Sequence, residues 1–118
     1  MKILTYVLLA LLVFISLMSA TGKLRKDPKI VAMMEHVGVK SNQIPLLAYI
    51  EILAGVGLLV GLKFHSVAVA AATGLTLYFI GAVIAHIRVK DKVADVLPAA
   101  FIALISAVAA YLISSQLG

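Results

Sequence analysis

The chain contains no cysteine and no tryptophan. Without thiols, disulfide exchange, thiolate catalysis and cysteine-ligated metal or iron–sulfur centres are excluded for this polypeptide by itself. Charge is scarce too. Only 13% of the 118 residues are Asp, Glu, Lys or Arg, against 64% hydrophobic residues. A soluble domain carries about 25% charged residues. So little charge could not solvate the surface of a soluble fold of this size, and lipid is the expected solvent. Repeats of the solenoid kind and Ser/Gly/Pro-rich linkers are also lacking, so one domain over residues 1–118 is expected.

What the chain does contain is four long apolar runs. A hydrocarbon core about 30 Å thick takes roughly 20 apolar residues as a helix. Residues 3–20, 43–62, 66–87 and 96–115 all approach or exceed that length. Short connections between them favour antiparallel neighbours. The expected fold is all-α: an integral membrane four-helix bundle. The first run has a second reading, because Met1-Lys2, an apolar core and then "SLMSATG" resemble a signal peptide cut after Ala20. Its core is longer than usual for such a peptide, and Met18 suits the cleavage site poorly. The first run is therefore expected to stay as a span; cleavage would leave three.

The formal net charge is +5. The basic residues sit in loops beside apolar runs, so they point to anionic lipid and to membrane orientation rather than to nucleic acid. Lys23, Arg25, Lys26, Lys29 and Lys40 follow the first run, and Arg88, Lys90 and Lys92 follow the third. The opposite side holds Lys2 and Lys63. The positive-inside rule then puts both basic loops in the cytoplasm and both termini outside. Within the first loop, "KDPKIVAMMEHVGVK" spells a short helix. Asp27 can cap it, Pro28 suits its first position and Gly38 its end. Ile30, Met33, Met34 and Val37 form one apolar stripe. This helix is expected to lie at the cytoplasmic interface, either as a plain surface helix or as a lid over a cavity between the spans.

Glu51 lies inside the second run. A charged carboxylate at the bilayer centre costs roughly 2.5–3.5 kcal/mol on insertion scales. It must face the bundle and find a partner, stay in its neutral form, or line a wet cavity. Ala48, Glu51, Gly55 and Leu58 share one stripe of their helix; Thr76, Phe79, Val83 and His86 share one stripe of the next. If the stripes face each other, Glu51 and His86 open into one cavity, a candidate ligand or proton site. Lys23 can snorkel toward it, and Tyr49 and Thr76 are further donors at intermediate depth. The alternative is that Glu51 only ties two helices together, a bond worth about 0.6–2 kcal/mol.

No local spacing of His36, His65 and His86 suits a metal, so no metal site is expected, and no catalytic residue stands out. Gly57 and Gly61 have the spacing that lets helices approach closely. Gly55 and Gly81 are read as packing positions that leave room around the polar residues. Asp91 or Asp95 is expected to cap the fourth span, and Pro98 to fall within its first turns.

Lys23 after the first span, "YIEILAGVGLLVGL" in the second, "GAVIAHIRVKD" closing the third and Pro98 opening the fourth together resemble the DoxX-like family. The resemblance covers nearly the whole chain in order. It implies a four-helix protein of the prokaryotic inner membrane, in a family named after a small subunit of a terminal quinol oxidase and thiosulfate–quinone oxidoreductase. The family's glutamate falls on Glu51, its third-span histidine on His86, and its basic position after the first span on Lys23. The function so implied is an accessory or ligand-binding subunit of a membrane redox system, not catalytic alone, taking a quinone or another polar-headed molecule. Its partners would be membrane lipid, a redox subunit or further copies of itself. An oligomeric small-molecule or proton-coupled carrier and a non-catalytic scaffold are the competing readings.

Overall fold

The computed structural model describes residues 2–117. Helix α1 runs over Lys2–Leu24, α2 over Pro28–His36, α3 over Ile44–Val60, α4 over His65–Arg88 and α5 over Val93–Leu112. A 3₁₀ turn, Ser41–Gln43, leads into α3, and a π-helical turn, Ile113–Leu117, follows α5. Among the described residues, four helical segments are long and apolar enough to cross a membrane. The protein is a multi-pass, all-α integral membrane protein.

The local signals explain the ends. Asp27 caps α2 by accepting from the Lys29 backbone amide at 3.0 Å, with Pro28 at the first position. Gly38, one residue past the α2 cap, has φ +92°, a left-handed conformation that glycine adopts without penalty. α5 departs from expectation. It starts at Val93, three residues before the predicted run. Lys92 precedes it without a side-chain cap, so neither aspartate caps it: Asp95 lies in its first turn and Asp91 is engaged elsewhere. Pro98 thus falls one turn deeper and removes the helical bond to the Ala94 carbonyl.

Helix α1 packs on α3, α3 on α4, α4 on α5 and α5 back on α1, closing a ring in chain order. Leu12, Leu58, Ala72, Leu75 and Ala109 fill its centre. The outside is as apolar as the inside: Leu53 is 73% exposed, Leu77 65% and Tyr111 71%. In water that surface would drive aggregation; in a bilayer it is solvated. The long dimension of 40 Å matches a bilayer of about 40–45 Å including head groups.

Glycines leave no spare room between the end of α3 and the start of α4. A Cβ on Gly57 would lie 3.0 Å from Ala71 Cβ, and one on Gly61 would lie 2.5 Å from Ala68 Cα. Gly55 faces Leu17 and Ser16 of α1 at ordinary contact distance, whereas a Cβ on Gly81 would meet open space.

Candidate functional site

Lys23 is the first residue to place. Helix α1 continues one turn past Ala20, and this carries Lys23 inside rather than leaving it at the interface. Only 5% of it is exposed. Ser19 lies one turn earlier on the same face. Lys23 Nζ donates to Ser19 Oγ at 2.7 Å and to Glu51 Oε1 at 2.6 Å. Glu51 is fully buried, on the predicted α3 stripe with Ala48, Gly55 and Leu58. Its carboxylate is held by an ammonium, which is the arrangement that makes a charge tolerable away from water. Glu51 Oε2 has no hydrogen bond. The Tyr78 hydroxyl lies within electrostatic reach of that carboxylate without closing a hydrogen bond to Oε2.

Above this pair is a cavity of about 480 Å³. Helix α2 forms one wall through Met33 and Met34, joined by Val37 just past its end. This short helix comes close to α1 because Gly22 has no side chain: a Cβ there would sit 2.5 Å from Ile30 Cδ1. The polar wall groups are Ser19, Lys23, Tyr78, His86 and Asp95; the rest of the wall is almost all apolar, including Phe79, Ala82, Ala99 and Ile102. Gly81 lines it as well. Glu51 does not reach the wall itself; it holds Lys23, which does.

Glu51 and His86 do not pair. His86 is buried on α4, and its Nδ1 shares a 2.6 Å hydrogen bond with Asp91 Oδ2. Asp91 Oδ1 in turn meets His36 Nε2 of α2 at 2.7 Å. One carboxylate thus ties the amphipathic helix to the end of α4. The hydrogen bond to His86, and after it the one to His36, holds the Asp91 carboxyl below the usual carboxylate range. Among the described residues, no group of three His, Cys, Asp or Glu side chains is placed to hold a metal ion.

Two of the residues singled out from sequence stand apart from the cavity. Tyr49 is 59% exposed to the lipid side. Two positions along a helix turn a side chain by about 200°, so a tyrosine two residues before Glu51 faces away from it. Thr76 Oγ1 donates to the Ala72 carbonyl of its own helix at 2.9 Å, and this satisfies the hydroxyl locally. Lys23 and His86 share the cavity wall, with Glu51 directly behind.

The DoxX-like family model matches residues 7–108. The chain belongs to the DoxX-like family. The match runs from α1 well into α5, so it takes in Lys23, Glu51, Tyr78 and His86. No curated protein and no solved structure matches the chain.

Sequence reasoning about this DoxX-like chain missed Ser19, Tyr78 and Asp91. Ser19 carried a usable signal, being four residues before Lys23 and so on the same helix face. Tyr78 carried a weaker one: a phenol deep in an apolar helix needs a polar neighbour. Asp91 carried none, because its second partner, His36, lies 55 residues away. The charges at the site are paired internally, Lys23 with Glu51. An ammonium has three N–H donors. The two bonds above use two of them, so one is left over among the described residues.

Proposed function

We propose that this protein binds a neutral, polar-headed lipophilic molecule of the quinone class and serves as an accessory or ligand-binding subunit of a membrane redox system. The observation that supports this most strongly is the third N–H of Lys23, offered to a largely apolar cavity from a lysine whose charge Glu51 already balances. A carbonyl oxygen can accept that bond. An anionic head would compete with Glu51 for Lys23 and meet Asp95 in the same wall, so a phosphate or carboxylate fits less well. The chain carries no thiol, so electrons would pass through the bound molecule and a partner subunit.

The basic loops after α1 and after α4 favour a cytoplasmic location for the α2 end of the bundle, and membership of the DoxX-like family favours the inner membrane of a prokaryote. Helix α2 then roofs the cavity at that face, with the Asp91–His36 bond as its fastening.

Titration of the nanodisc-reconstituted protein with decylbenzoquinone tests the reading. Saturable binding is expected, weakened at least tenfold in Glu51→Gln and in His86→Ala. Equal affinity in all three proteins would remove the site. No binding to the wild-type protein would remove the function and leave a membrane scaffold.

A further inference from the structure

A second apolar hollow lies on the outside of the bundle, between α3 and α4. Its volume is about 340 Å³, and Ile50, Leu53 and Gly57 face Val67, Ala70 and Gly74 across it. It opens toward lipid, since Leu53 is 73% exposed and Val67 38%. Its floor exists because Gly57 has no Cβ and Ala71 comes close beneath. Tyr78 lines this groove and also lines the interior cavity. The ring is braced by Phe79, edge to face with centroids 5.0 Å apart. Beside it sits Glu51, fully buried, with one carboxylate oxygen unbonded.

We propose that the groove is the tail channel of the cavity and that Tyr78 is the partition between them. The occupant is then a single amphiphile dissolved in the bilayer, with its neutral head under α2 and its apolar tail lying past Tyr78 between α3 and α4. This rests on the head-binding reading above and adds the tail and the route. Cavity and groove are stacked along the bundle: Tyr78 is the deepest α4 residue of the cavity wall, and the groove continues from it to Val67. Those eleven positions span about 16 Å at roughly 1.5 Å per residue, room for a decyl chain. A head without a tail would fill the cavity alone. A plain lipid chain would gain nothing from Lys23 or His86. Continuity through one tyrosine favours a molecule that has both parts. Movement of the Tyr78 ring lets the head pass from lipid into the cavity, and its hydroxyl can then bond the free Glu51 oxygen.

The test uses the full chain in nanodiscs and two probes: decylbenzoquinone with a diazirine at the end of its tail, and the tailless benzoquinone. Gly74→Phe fills the groove from a position where an added Cβ meets open space, and Ala70→Leu fills it from an exposed position. Photolysis should label the α3 and α4 residues of the groove, and the tailless quinone should suppress that label by displacing the head. Both variants should weaken the tailed probe at least tenfold and leave the tailless affinity within twofold. Labelling that the tailless quinone does not suppress, or equal affinity for the tailed probe in both variants, overturns the tail channel while leaving the head site standing. A variant that also loses the tailless probe acts through the fold, and the other variant then decides. Absence of tailless binding in the wild-type protein removes the head site and this inference together.

Discussion

Replacing Lys23 by methionine leaves Glu51 fully buried and without its cation. At 2.6 Å, and with an effective dielectric constant of about 20, the direct attraction in the pair is about 6 kcal/mol. Against it stands a desolvation penalty of several kcal/mol for each ion. The two terms nearly cancel, so the intact pair adds little net stability. Removing one partner does not cancel anything: it leaves the other ion's penalty uncompensated, typically about 3–5 kcal/mol. Lys23→Met and Glu51→Leu should each destabilise the bundle by that much. The double variant Lys23→Met/Glu51→Leu should return to within about 1 kcal/mol of the wild type, because two apolar side chains of similar volume replace the pair. Unfolding by SDS in mixed micelles, followed by circular dichroism, measures all four proteins in one cycle. The reasoning fails if either single variant is as stable as the wild type, or if the double variant loses the sum of the two.

Three other outcomes follow from the geometry. Gly61→Ala should destabilise the protein by about 1–3 kcal/mol, since the new methyl meets the α4 backbone at Ala68, while Gly81→Ala should be neutral in the same SDS titration. Asp91 has a depressed carboxyl pKa in the folded protein, so its contribution is complete above the unfolded value of about 3.9 and is lost as pH falls through the lowered folded value; hydrogen exchange should show α2 loosening over that acid range, and already at neutral pH in Asp91→Asn. Tyr49→Phe should change neither stability nor quinone binding, and a tenfold loss of affinity there would mean that the site faces lipid rather than the cavity.

The four spans were legible because apolar length alone determines them, and α2 because its cap, proline and stripe agree with one another. The inward stripe of α3 was also readable, since the expense of exposing Glu51 to lipid leaves one direction. What the sequence did not disclose was partner choice. Spacing puts both His86 and a snorkelling Lys23 within range of Glu51, and it is the extra turn of α1 beyond its apolar run that brings Lys23 to the carboxylate. His86 was then left to Asp91, a residue read as a helix cap. Caps are local and pattern-based; a carboxylate shared between two histidines on different helices depends on how α2 folds back, which no spacing encodes. Tyr78 escaped for a related reason. It is one residue off the Phe79–His86 stripe, and only the packing of α3 against α4 puts its hydroxyl beside Glu51.

The most direct test of the central claim is quinone titration of the Lys23→Met/Glu51→Leu double variant, which keeps the fold but lacks the donor in the cavity. Calorimetry in nanodiscs should show decylbenzoquinone affinity at least tenfold weaker than in the wild-type protein, with unfolding stability unchanged. Undiminished affinity in that variant would contradict the assignment of Lys23 as the group that recognises the ligand.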